Sequence, residues 1–209
     1  MKKKIYIPII LTVIITVTAF LLNYYRSPFR YYLFPAVLIF LPLLCDRTFK
    51  PVDLFKPSMN GLKLFLFVSI AVLAVYPFLF FFYWINLKNS QFIIPENTEI
   101  LKAAGKGLAA VAVAAIPEEF FFRGYLQEHA FSAFNKRFAK IITLKNLLTS
   151  LLFGAVHALA FLDITRASTF FPSLLFGLFT EKSNGRIFYS ISFHVISNIL
   201  AFILWTFIK

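Results

Sequence analysis

Pro117-Glu118-Glu119-Phe120-Phe121-Phe122-Arg123-Gly124 sets two carboxylates and a guanidinium inside the apolar segment 107–126. Charged side chains at bilayer depth cost about 2.5–3.5 kcal/mol each on insertion scales, and they usually mark a pathway or a reaction site. On a helix, Glu119 and Arg123 are four residues apart, share a face and can pair, the planar guanidinium being suited to a bidentate carboxylate. Glu118 is turned away from Glu119 by about 100° and lacks that intrahelical partner. The pattern therefore predicts Glu119–Arg123 as a structural buttress and Glu118 as the carboxylate available for chemistry. Pro117 removes a backbone donor and kinks or starts a helix there, and Gly124 allows a neighbouring element to approach closely.

Outward from this stretch the chain stays apolar. Of 209 residues, 60% are hydrophobic and only 14% charged, a composition that belongs to polytopic helical membrane proteins. Seven apolar segments stand out, at about 5–22, 31–45, 62–85, 107–126, 147–162, 168–180 and 187–207. Backbone groups in lipid must be satisfied internally, and the runs lack strand alternation, so the expected fold is an all-α transmembrane bundle. Segment 168–180 is short for a span and fits a re-entrant element. The first segment follows Lys2-Lys3-Lys4 but is long and has no clean cleavage site, which favours a retained helix over a signal peptide. Stretch 127–146 is basic and aromatic and reads as an interfacial amphipathic helix. Residues 1–209 form one membrane-embedded domain on this reading, with the chemistry in 117–200.

The net charge of +12 does not point to nucleic acid, because the basic residues are scattered between the spans. With the N-terminus cytoplasmic, thirteen Lys and Arg fall on the inner side (among them Lys2, Arg47, Lys136, Lys140 and Arg186) and seven on the outer side (among them Arg26, Arg30, Lys88 and Arg166). That excess places the N-terminus in the cytoplasm, and the short, Lys-led chain is typical of a bacterial inner-membrane protein. The single cysteine, Cys45, excludes a disulfide framework and reads as a small core residue.

Two later segments carry isolated polar groups. His157 follows Leu151-Leu152-Phe153-Gly154, one turn after Phe153; His194 and Asn198 are four apart and face the same way. Two donors aimed at one point in a dry site suit a tetrahedral oxyanion; an interhelical polar clasp uses the same residues. Measured from the cytoplasmic segment edges at about 126, 147 and 187, Glu118, His157 and His194 lie at similar depth, about 10–15 Å in.

Taken in order, Glu118-Glu119-x-x-x-Arg123, Phe153-x-x-x-His157 and His194-x-x-x-Asn198 resemble the CPBP family of intramembrane proteases, which includes the type II CAAX prenyl endopeptidases and bacteriocin-processing (Abi) enzymes. The resemblance covers about 117–200. It implies that Glu118 and His157 activate a water, that His194 and Asn198 stabilise the oxyanion, and that Glu119 and Arg123 hold the site. The substrate would be a protein or peptide at the lipid bilayer. A metal-free mechanism is implied; were zinc used instead, Glu118, His157 and His194 would hold it, although no standard zinc motif occurs. The chain departs from the family pattern after Phe176-Gly177-Leu178, at Thr180-Glu181-Lys182-Ser183-Asn184-Gly185. Two other classes use the same residues: a non-catalytic immunity or scaffold protein of this fold, and a transporter or proton relay.

Overall fold

The computed structural model describes residues 3–138 and 141–209; Met1, Lys2, Ala139 and Lys140 lie outside the described residues. The chain is all-α, with seven helices among the described residues: α1 (Lys3–Tyr24), α2 (Arg30–Cys45), α3 (Met59–Phe81, continued by the π-helical Phe82–Leu87), α4 (Asn97–Ala130), α5 (Leu144–Phe161), α6 (Phe170–Lys182) and α7 (Phe188–Trp205). Five of them, α1, α3, α4, α5 and α7, are long and apolar enough to cross a membrane. The protein is a polytopic helical membrane protein. At about 1.5 Å per residue, the 13-residue α6 is roughly 20 Å long, short of the hydrocarbon core, as its sequence predicts.

The seven expected segments correspond to the seven helices, with three differences. Helix α4 begins at Asn97, ten residues before the apolar run, because Glu96 and Glu99 form a reciprocal capping box that starts it in polar sequence. At its other end α4 runs on to Ala130, and the described residues of 131–143 form no amphipathic helix. Instead Arg137–Phe138 (β1) pairs antiparallel with Ile142–Thr143 (β2). Lys136 and Phe134 carbonyls accept from the Leu144 and Lys145 amides, so the chain folds straight back into α5, whose first turn is capped by the Thr143 hydroxyl. Cys45 is exposed, since it is the last residue of α2 where the chain leaves the bundle.

The core lies where α1, α2, α4 and α5 meet, around Leu11, Ile15, Leu38, Phe121, Phe122, Leu126 and Phe153. Helix α1 is thus an integral part of the packing. A second cluster (Phe176, Phe179, Tyr189 and Phe193) joins α6 to α7, with α3 against it. Most of α3 faces outward: only 11% of its apolar window is buried, as expected of a lipid-facing helix. Between α4 and α7 the approach is set by Gly107, where a Cβ would lie 2.7 Å from the Ile199 Cα, a backbone atom that cannot step aside. Gly124 meets the side chain of Leu54 in the loop between α2 and α3.

That loop is tied to the end of α4 by Asp46, which accepts from Thr48 and lies 3.2 Å from His129 Nε2 and 3.3 Å from the Tyr125 hydroxyl. Burial raises the Asp46 pKa, but the Thr48 hydrogen bonds and the His129 ring outweigh it and leave the carboxyl below its ordinary value.

Two outcomes follow from this packing. Gly107→Ala should destabilise the protein by about 1–3 kcal/mol through overpacking, whereas Gly105→Ala, with nothing within 4 Å of its Cβ, should stabilise α4 by about 0.5–1 kcal/mol; thermal unfolding in detergent separates them. Because the folded Asp46 pKa is lowered, its tether contributes in full above the unfolded carboxyl value, about 3.9, and is lost as pH falls through the folded value. Asp46→Asn should therefore cost stability at pH 7 and flatten the acid limb of a melting-temperature profile.

Candidate active site

The site grows from one turn of α4. Pro117 sits at the start of a short α-helical turn, Ile116–Glu119, set between the wider π-helical stretches Val111–Ala115 and Phe120–Ala130. A proline has no N–H to give to the carbonyl four residues back, and wide turns of this kind are frequent at functional sites. The result points Glu118 and Glu119 into the bundle, 7% and 0% exposed.

Glu119 is the hub. Its Oε2 faces Arg123 Nε at 3.4 Å and accepts from the Ser190 hydroxyl, while Oε1 accepts from His194 Nδ1 at 3.0 Å. Arg123, fully buried, donates to Gln127 Oε1 at 3.0 Å and to the Ser173 hydroxyl; Gln127 in turn donates to the Gly177 carbonyl at 3.0 Å. One buried ion pair thus joins α4 to both α6 and α7. Gly177 has no alternative residue here, since a Cβ would run into Asn146 Oδ1 and stand 2.6 Å from Gln127 Oε1.

Glu118 faces the two histidines. Its Oε2 is 3.9 Å from Nε2 of His157 and 3.9 Å from Nε2 of His194. Both rings are held by their other nitrogen. The Phe153 carbonyl can only accept, so His157 Nδ1, 2.9 Å away, carries hydrogen; His194 Nδ1 is engaged by Glu119. The Phe153 ring packs on His157 with centroids 4.3 Å apart, and Phe176 stacks on His194 at 4.7 Å and 14°. The three groups converge although they sit at unequal positions along their helices: His157 comes thirteen residues after Leu144, His194 six after Phe188.

Asn198 stands one turn beyond His194 on α7, partly buried, and makes no side-chain hydrogen bond among the described residues. Sequence reading overlooked Ser173, Ser190 and Gln127. Two of these had a legible signal: Glu119, Arg123 and Gln127 repeat every four residues, as do Ser190, His194 and Asn198.

Glu118 and His157 open onto a cavity of about 430 Å³ between α1, α2, α4 and α5, walled by residues such as Leu22, Phe34, Val113, Phe122 and Phe161. It is mainly apolar, with Asn23, Arg30, Tyr31 and Arg166 also in its lining. His194 and Asn198 lie outside its lining.

Glu118, His157 and His194 were also the zinc donors to test. Tetrahedral ligands at about 2.0–2.1 Å from a zinc ion stand about 3.4 Å apart, and the 3.9 Å separations exceed this. Among the described residues no group of three His, Cys, Asp or Glu side chains has a metal-holding arrangement. As placed, the donors do not fit the ion.

The family model for type II CAAX prenyl endopeptidase Rce1-like proteins matches residues 101–200, which contain all six of the residues singled out from the sequence. No curated protein and no solved structure matches the chain.

Removing Arg123 alone (Arg123→Met) strands Glu119 and should cost about 3–5 kcal/mol, while the double change with Glu119→Gln should cost clearly less than the sum of the two single changes. A double-mutant cycle by denaturation in mild detergent reads the coupling.

Proposed function

With residues 101–200 a domain of the Rce1-like type II CAAX prenyl endopeptidase (CPBP) family, we propose that this protein is an intramembrane endopeptidase of glutamate type. It cleaves a membrane-associated protein or peptide. The observation that carries the reading is the fork at Glu118, one carboxylate oxygen 3.9 Å from two imidazole nitrogens, each ring fixed through its other nitrogen. A gap of 3.9 Å is too long for a direct hydrogen bond and suits a bridging water, about 2.8 Å from each partner.

The chemistry follows from these positions. Glu118 accepts a proton from the water, and the water oxygen attacks the scissile carbonyl carbon. His157, with Nδ1–H committed to Phe153, offers Nε2 to orient that water. The carbonyl oxygen becomes an oxyanion. With hydrogen on both ring nitrogens, His194 donates Nδ1–H to Glu119 and keeps Nε2–H for the oxyanion, with the free Asn198 amide as the second donor. Glu118 then passes its proton to the amide nitrogen, the C–N bond breaks, and a carboxylate and an amine leave. Glu119 and Arg123 touch no reacting atom and act as positioning residues. Residues 1–209 form a single membrane domain in this proposal, with the catalytic groups in 117–200.

The Lys and Arg distribution supports a cytoplasmic N-terminus. The cavity mouth then opens on the opposite side, since Asn23, Arg30 and Phe161 all stand at the helix ends away from the N-terminus.

Glu118→Gln keeps shape and loses the base, so defined neo-termini present in wild-type cells should disappear in cells carrying the variant at equal membrane level. The expected loss in cleavage is at least about 10²–10⁴-fold, the usual contribution of a general base. If the termini are unchanged while the wild-type phenotype persists, the chain is a non-catalytic scaffold of the same fold.

A further inference from the structure

We infer that the aromatic cap joining the ends of α3 and α7 is a surface for the lipid headgroup boundary, and that it holds Glu118 and its two histidines at a set depth in the leaflet away from the N-terminus. The depth assignment rests on the peptidase reading and narrows its substrate to a segment lying in the bilayer.

The cap contains both tryptophans of the chain. Trp84, in the π-helical end of α3, and Trp205, the last residue of α7, pack with ring centroids 4.5 Å apart. Beyond them the backbone closes on itself. Gln91 and Lys209 exchange hydrogen bonds of 2.9 and 3.0 Å, the Ile93 N–H donates to the Phe207 carbonyl at 3.0 Å, and Phe92 stacks on Phe207. So short a strand pair is marginal in water on its own, yet the rings around it are left half uncovered by protein: Trp205 is 48% exposed and Phe92 52%. Neither indole N–H has a protein acceptor among the described residues.

Position decides which occupant fits. Helices α3 and α7 are long and apolar enough to cross the membrane, so their shared end falls where hydrocarbon gives way to headgroups. There the body of an indole meets acyl chains and its N–H meets headgroup oxygens, which is why Trp and Tyr gather at that level. A second set of rings agrees. Tyr24 closes α1, Tyr31 and Tyr32 open α2, and all three are exposed. At the opposite end of the bundle Tyr125 and Tyr189 are buried and only Tyr6 is exposed among the described tyrosines. A bilayer boundary accounts for exposed rings at the ends of both helix pairs, whereas a protein partner would account for one patch.

The same rings give the depth of the reactive groups. His194 comes eleven residues before Trp205, about 16 Å along α7. His157 comes four residues before Phe161, the last residue of α5, about 6 Å along the axis. The end of α5 is level with that of α1, since Asn23 donates to the Ala160 carbonyl at 3.3 Å. On either count Glu118 and the histidines lie inside the aromatic level and no deeper than about one leaflet, half of the ~30 Å hydrocarbon core. An extended segment advances about 3.3 Å per residue, so the cleaved bond falls about two to five residues inside the end of an apolar span.

The two tryptophans are their own reporters. The full chain is reconstituted in phosphatidylcholine carrying bromine either high on the acyl chain, near the headgroup, or close to the terminal methyl. Shallow bromine should quench the wild-type emission severalfold more than deep bromine. Trp84→Phe and Trp205→Phe, each leaving one reporter, should show the same order. Stronger quenching by deep bromine overturns the inference. Emission reached only by aqueous iodide also overturns it, because the cap then stands in water and is open to a protein partner.

Depth is read separately, in unbrominated vesicles, with a mixed-sequence library of peptides that each carry one apolar span of about 20 residues. Mass spectrometry identifies the cleaved bonds. Wild type should cut inside the span, about two to five residues from one end, and Glu118→Gln should lose that cleavage. Cuts beyond the span or at its middle overturn the depth assignment while the peptidase reading stands. If wild type cuts nothing, or Glu118→Gln cuts equally well, the peptidase reading is what fails and the depth assignment for cleavage falls with it. Bromine quenching then decides the lipid surface alone.

Discussion

The carboxylate of Glu119 ties α4 to α7 and holds His194. It is fully buried, and a lone buried carboxylate is untenable in an apolar bundle, so it gathers Arg123 from its own helix and Ser190 and His194 from α7. Arg123 in turn needs its remaining donors satisfied and takes Gln127 and Ser173, bringing in α6. Three helices are thereby locked by polar contacts whose breaking strands a charge. Lipid-facing apolar surface alone could not do this, because chain-to-chain and chain-to-lipid contacts are nearly equivalent in hydrocarbon.

Locking the scaffold also orients the reactive groups. His194 spends Nδ1 on Glu119, and His157 spends Nδ1 on the Phe153 carbonyl, so both rings turn Nε2 towards Glu118. Of the two adjacent glutamates, Glu119 is engaged by Arg123, Ser190 and His194, whereas Glu118 has no hydrogen-bond partner among the described residues. The wide turns of α4 on both sides of Ile116–Glu119 let successive carboxylates serve these different directions. Small residues complete the arrangement: Gly177 lets α6 approach Gln127 and Asn146, and Gly107 seats α7 against α4.

The architecture also divides the labour between the two parts of the chain. Helices α4 to α7 carry all six of Glu118, Glu119, Arg123, His157, His194 and Asn198, and they coincide with the family match. Helices α1 and α2 supply core residues such as Leu11, Ile15 and Leu38 and the outer wall of the cavity.

Much of this was legible in the sequence, for a physical reason. Lipid demands long apolar helices and makes each buried charge costly, so the seven segments and the polar residues within them stand out against a 60% hydrophobic background. The Glu119–Arg123 pair needed only helical periodicity. What spacing could not supply was anything depending on how helices meet. The hairpin in place of an interfacial helix arises from backbone pairing between Lys136 and Leu144. The engagement of His194 by Glu119, the recruitment of Ser190, Ser173 and Gln127, and the cavity joining Glu118 to Arg30 all join residues far apart along the chain. Local sequence determines which segments enter the membrane and what they carry; only tertiary packing decides which buried charges find one another, because each pairing is fixed by interhelical distance and rotation.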